Sequence, residues 1–221
     1  MNTKPLTFLL ALTFLFLFSG SVFGEEPEVK REYWDNGKLM NEFHYKNGKK
    51  EGLATHWNET GEKRSELPYK NGEREGLETW WFKSGKKKSE THYKNDEKEG
   101  LETTWYESGE KKYETPYKNG EREGLGTWWF ESGAKRHEAH YENGKGEGLV
   151  TSWHENGKKA YETRNKNGET DGVYKEWYKS GRKKLLRHYK NGIENGLRKE
   201  WDENGKLTVQ GYFVDRNEEI K

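Results

Sequence analysis

From about residue 31 to residue 214 apolar and polar positions alternate, and the alternation restarts every 24 residues. Leu53, Thr55 and Trp57 occupy every second position, and the triplet returns as Leu77, Thr79 and Trp81 and as Leu101, Thr103 and Trp105. A period of two sends such side chains to one face of a pleated strand. Each run stops at glycine-bearing pairs: Asn36-Gly37 or Ser84-Gly85 at one end, Asn71-Gly72 followed by Glu75-Gly76 at the other. Asn-Gly readily takes the left-handed backbone of tight hairpin turns. Each unit is therefore predicted to be two short strands with tight turns, and the frequency of glycine leaves no room for a useful helix. Asn95-Asp96 replaces one Asn-Gly pair, and because Asp tolerates positive φ less well than Gly, a slightly strained turn is expected there.

Written as columns, the period is regular. Gly52, Gly76, Gly100, Gly124 and Gly148 keep one register, and Trp57, Trp81, Trp105, Trp129, Trp153, Trp177 and Trp201 another. Tyr45, Tyr69, Tyr93, Tyr117, Tyr141 and Tyr189 form a third column, broken by Asn165 and closed by Phe213. One hairpin buries too little to stand alone, whereas stacked hairpins can bury shared columns. The predicted fold is all-β, an elongated antiparallel meander of about eight 24-residue hairpin repeats, with the Leu, Trp and Tyr columns buried between neighbours and Lys and Glu keeping the surface wet.

The columns Gly-Leu-x-Thr-x-Trp-Tyr, Asn-Gly-Lys and Tyr-Lys-Asn-Gly-x-x-Glu-Gly resemble the bacterial variant of the MORN repeat, the family often labelled as YwqK-type antitoxin proteins. The resemblance implies a β-hairpin array used for binding or scaffolding, with lipid or protein contact in related repeats. An antitoxin role is ordinarily cytoplasmic, and the start of this chain points elsewhere. Lys4, the apolar stretch Leu6 to Phe18 and Val22-Phe23-Gly24 have the form of a secretory signal peptide cut after Gly24, and the stretch is short of the ~20 residues of a spanning helix. The expected organisation is a signal peptide with helical character over 1–24, a short linker over 25–30, the repeat array over 31–214 and a charged tail over 215–221. The expected location is periplasmic or secreted.

Composition narrows the function. Only 29% of residues are hydrophobic and 36% are charged, which suits disorder, but 14% are aromatic and the net charge is +1, which does not. Lys and Glu alternate without a basic patch, so nucleic acid is not an expected partner and membrane contact is expected at most at the surface. With Cys 0, no disulfide staples the chain.

No chemistry-bearing constellation stands out. His44, His92, His140 and His188 fall in alternate repeats, which would hold them ~19 Å apart at about four strand spacings, too far to share a metal. The carboxylates Glu42, Glu66, Glu90, Glu114, Glu138 and Glu162 repeat, whereas a catalytic carboxylate is a singular feature in its own pocket. The expectation is a protein that is not an enzyme and has no cofactor and no metal. Positions just before and after the Trp column differ between copies, and there Trp80, Phe82, Tyr106, Trp128, Phe130 and Tyr178 are candidates for a binding stripe. The competing role for that face is packing on itself or on a second layer. A protein partner is expected first, and a cell-wall glycan stacking on the rings second.

Overall fold

The computed structural model of the protein describes residues 27–214; the expected signal peptide and charged tail lie outside the described residues. The repeat containing Trp57 shows how each unit is built. Its first strand, Gly52–Trp57, runs antiparallel to its second, Lys63–Lys70, with Gly52 opposite Tyr69, Ala54 opposite Leu67 and Thr55 opposite Glu66. A bulge at His56/Trp57 then brings Trp57 opposite Lys63 and leaves Arg64 as the extra residue. A tight turn follows Trp57, where Asn58 N–H donates to Glu62 O and Gly61 N–H to Asn58 O. At the other end Asn71 and Gly72 turn the chain at φ 52° and 93°. Glu73–Arg74 pairs back on Tyr69 and Lys70, Glu75 N–H donates to Pro68 O, and the next first strand, Gly76–Trp81, sets Trp80 opposite Ser65 and Thr79 opposite Glu66.

Among the described residues, repetition of this plan gives one antiparallel sheet of 22 strand segments, an open meander whose edges are Glu28–Tyr33 and Leu207–Phe213. The first strand opens at Glu28, inside the expected linker, because Val29 already occupies the Leu53 position, opposite His44 as Leu53 is opposite Pro68. Successive repeats are fastened at the turns: Asn71 N–H donates to the Glu51 carboxylate at 2.6 Å, and Asn95 to Glu75, Asn119 to Glu99, Asn143 to Glu123 and Asn167 to Glu147 do the same at 2.9–3.0 Å.

Register divides the sheet into two faces. The Trp face carries Leu53, Thr55, Trp57, Lys63, Glu66 and Pro68, and the Tyr face carries Ala54, His56, Ser65, Leu67 and Tyr69. The Trp face is uniform: Lys63 pairs with Glu66, Lys87 with Glu90, Lys111 with Glu114, Lys135 with Glu138 and Lys159 with Glu162. The same lysines reach the next repeat, Lys63 Nζ lying 5.5 Å from the Trp81 ring, Lys111 5.9 Å from Trp129 and Lys159 5.8 Å from Trp177.

The expected burial of the three columns holds only in part: the Trp rings are half-buried and Tyr93 is buried, but the Leu column needs correction. Leu53, Leu77, Leu101, Leu125 and Leu149 are exposed, from 37% at Leu77 to 51% at Leu125, and the tyrosines stand on the opposite face from the Trp column. Most of what is buried is small, Ala54, Ser65, Thr91, Thr115, Ala139 and Thr163 in mid-sheet, with Leu67, Tyr93 and Glu102 as larger exceptions. A single layer closes only the gaps between neighbouring side chains, so small residues disappear while most long ones keep one flank in water. The replaced turn adopts positive φ at both Asn95 (48°) and Asp96 (66°). Arg74 holds it: its backbone N–H and Nε both donate to Asp96 Oδ1 at 2.9 Å, and Nη2 donates to Asp96 O at 2.6 Å.

Candidate functional site

Variation between copies is concentrated on the Tyr face. The position before the framework Trp reads His56, Trp80, Thr104, Trp128 and Ser152, and the position opposite it in the second strand reads Asn41, Ser65, Ser89, Tyr113, His137 and Tyr161. Pairing brings these into one row: Tyr113 is opposite Trp128, Trp128 opposite His137, His137 opposite Ser152 and Ser152 opposite Tyr161. The rings follow one another at contact distance, Tyr113–Trp128 at 6.5 Å, Trp128–His137 at 5.1 Å and His137–Tyr161 at 6.0 Å. Tyr161 stacks on Tyr174 at 5.7 Å, and Tyr174 meets Tyr189 edge-on at 6.2 Å.

Trp128 folds over Gly126, where a Cβ would lie 2.8 Å from indole Cη2 and 3.2 Å from Tyr141 Cε2. Glycine at this position therefore sets the pose of the ring. The polar groups converge beside it, with His137 Nδ1 2.6 Å from Ser152 Oγ and 3.3 Å from the Tyr161 hydroxyl. Burial pushes the His137 pKa below the usual histidine value; Arg136 adds to the effect and Glu138 opposes it. A neutral imidazole can both accept and donate here. Trp128, Phe130, Arg136, His137, Ser152, Trp153, Ala160 and Tyr161 line a depression of ≈ 520 Å³, with Arg136 standing 5.7 Å over the Phe130 ring.

A smaller depression of ≈ 260 Å³ repeats the plan nearer the N-terminal edge, lined by residues that include Trp34, Asn41, His56, Ser65 and Trp80. There His56 Nδ1 lies 2.5 Å from Asn41 Oδ1, Arg64 stands 5.6 Å over the Trp80 ring, and burial again lowers the histidine pKa, with Lys50 and Arg64 adding. A third depression, of ≈ 650 Å³, lies on the Trp face around Leu77, His92 and Leu101.

The six stripe residues divide into two sets. Trp80 and Trp128 lie on the Tyr face, each in one of the two aromatic depressions. Phe82, Tyr106, Phe130 and Tyr178 follow the bulge at the start of the turn, each under a cation: Lys88, Lys112, Arg136 and Lys184 at 5.6–6.0 Å. The tyrosines of this column brace the array, since Tyr106 OH donates to Trp129 O at 2.9 Å and Tyr178 OH to Trp201 O at 2.7 Å. Phe130 lines the larger depression instead. Tyr113, His137, Tyr161 and Tyr174 were not singled out by the sequence reading. Tyr113, His137 and Tyr161 are signalled by variation at one position of the second strand, where the regular Tyr, Glu and His columns drew notice, and Tyr174 by variation in the first strand.

Comparison with known families matches most of the chain to the MORN repeat variant, at residues 29–47, 50–71, 74–95, 98–119, 122–143, 146–167, 170–191 and 194–215. No curated protein matches it.

Proposed function

The chain belongs to the MORN repeat variant family, whose repeats are in general protein- or membrane-interaction modules, and from that premise we propose that it is an exported, non-catalytic scaffold that binds a protein on its Tyr face, around Trp128, His137 and Tyr161. One observation carries this reading: the Trp face keeps its Trp from Trp57 to Trp201 and its Lys–Glu pair from Lys63 and Glu66 to Lys159 and Glu162, while on the Tyr face, outside its regular Tyr column, the positions of Ala54, His56, Ser65 and Leu67 change residue type between most repeats. Self-assembly of a sheet needs only the regular contacts. Half-buried Trp and Tyr beside Arg136 form the side-chain set that dominates protein interfaces. Export rests on the form of residues 1–24, and the absence of catalysis on the lack of any singular nucleophile or carboxylate motif in the sequence.

A photo-crosslinking residue at Tyr161, compared with one at Leu125 on the Trp face, tests the assignment in the native host. An adduct at 161 alone, abolished by Trp128→Ala in a protein that melts at nearly the same temperature, is the expected result; equal adducts on both faces would count against it. A glycan is the second reading, favoured by flat rings flanking the His137–Ser152–Tyr161 cluster. Co-sedimentation with purified peptidoglycan, lost in Trp128→Ala, would select the glycan over the protein.

A further inference from the structure

The two edges of the sheet, open among the described residues, are complementary. At each internal junction the second strand of one repeat receives the first strand of the next; at the last one Leu185 is opposite Glu200 and Leu186 opposite Lys199. The array begins on a first strand, Glu28–Tyr33, and ends on a second strand, Leu207–Phe213. Its C-terminal edge is thus of the kind that elsewhere receives a first strand, and its N-terminal edge is of the kind that elsewhere docks.

The residues at these edges match in the same way. Val29-Lys30-Arg31-Glu32-Tyr33 repeats the order apolar, basic, basic, Glu, aromatic of Leu197-Arg198-Lys199-Glu200-Trp201, whereas the middle repeats carry Thr at the Arg31 position. In the internal register Val209 would face Glu32 of a second copy as Leu185 faces Glu200, and Gln210 would face Arg31 as Leu186 faces Lys199. Leu207 would lie over Tyr33 where Lys183 lies 5.9 Å over Trp201, so both members of that contact change together, from ammonium on indole to aliphatic chain on phenol. The C-terminal edge strand is apolar and exposed, Leu207, Val209 and Phe213 at 42% each and Tyr212 at 78%, whereas Glu28–Tyr33 sets Val29 and Tyr33, 40% and 57% exposed, among the charged Glu28, Lys30, Arg31 and Glu32. Edges that stay free are normally blunted by charge or proline, and Leu207–Phe213 carries neither.

The backbone is directed accordingly. Pro68 O accepts from Glu75 N–H and Pro116 O from Glu123 N–H, so this position of the second strand points its backbone at the following repeat. Alternation along a strand gives the same direction two residues earlier, at Glu66 and hence at Gln210. Thr79 answers Glu66 from the next first strand, and Arg31 occupies that position at the N-terminal edge.

We propose that copies of this chain associate head to tail, Glu28–Tyr33 of one adding to Leu207–Phe213 of another and continuing the repeat across the junction. The contact is heterologous, so it generates an open series unless its rotation closes a ring. Sedimentation velocity of the full chain, as its host processes it, over a hundredfold concentration range is expected to show a weight-average mass climbing beyond that of a dimer. Gln210→Pro removes the outward N–H of the tail edge and Arg31→Pro that of the head edge; each alone is expected to stay at monomer mass. Mixed in equal amounts they retain one intact edge each, and the mass is expected to double and stop there. Leu207→Lys/Val209→Lys, which leaves the backbone untouched, should behave as Gln210→Pro does, with circular dichroism confirming the fold of each. Dimers of Arg31→Pro alone would mean tail-to-tail pairing, and a monomeric wild type or an unreactive mixture would leave the edge to some other chain; any of these overturns the proposal.

Discussion

Trp128 owes its pose to Gly126, two residues before it on the same strand. Gly126→Ala would put a methyl 2.8 Å from the indole, forcing the ring off the sheet at a cost of about 1–3 kcal/mol. A red-shifted, more quenchable tryptophan emission and loss of Tyr161-dependent crosslinking are expected, while Gly211→Ala, with nothing within 4 Å, should leave both unchanged. His137 adds a pH dependence whose sign is fixed. Burial lowers its folded pKa below 6.5, so between the two values the unfolded chain binds more protons, and stability is full above about pH 6.5 and declines as pH falls below it. His56 acts in the same direction. The lowered carboxylate pKa values of Glu42, held by Arg31, and Glu162, held by Lys159, also lose stability with falling pH, but in the carboxylate range below 4.5. Melting temperatures at about pH 7.5 and pH 5.5 should therefore differ less in His137→Gln than in the wild type. At this scale the sequence showed Trp80 and Trp128, which stand out from their columns, but not their partners. Tyr113 and His137 meet Trp128, and Tyr161 meets His137, through the pairing of neighbouring strands, whose register a period of two does not reveal.

The hairpins themselves were legible because each signal is local: alternation gives the strand, and Asn-Gly gives the turn. Even the one irregular turn was visible, since Asp96 stands where glycine is otherwise the rule, but its remedy was not, because Arg74 belongs to the preceding repeat. Left-handed backbone at a non-glycine residue costs on the order of 1 kcal/mol, and the bonds from Arg74 offset much of it. Arg74 also lies 4.2 Å over the Tyr93 ring, compared with 5.2 Å for Arg122 over Tyr141, whose following turn, Asn143-Gly144, has no such strain to relieve. Arg74→Ala is expected to destabilise the protein more than Arg122→Ala by roughly 1 kcal/mol. Repeating both substitutions in an Asp96→Gly background, by urea denaturation, should shrink the difference to what the shorter cation–ring distance explains.

On the scale of the whole molecule the period of two reveals which residues share a face, but not whether a face is covered. Exposure of the Leu53, Leu77 and Leu101 column is a property of having one layer, which no local pattern encodes. The same single layer makes the array nearly one-dimensional, because its extensive contacts join strands that are neighbours in the chain. Stability should then be a sum of repeat and junction contributions, and whole repeats should be removable. Deleting Gly76 to Glu123 joins Glu75 to Gly124 and brings Trp128 opposite Ser65 and Thr127 opposite Glu66, the pairing that Trp80 and Thr79 make now. Deleting Gly100 to Glu147 removes the same number of residues but takes Trp128, Phe130 and His137 with them. Both shortened chains are expected to keep a β-sheet circular dichroism spectrum, with urea m-values reduced alike in proportion to the surface lost. Only the first should retain crosslinking from Tyr161, because the Trp128–His137–Ser152–Tyr161 row survives in it intact. If both chains fold and both lose the partner, binding depends on the length of the array and not on this row.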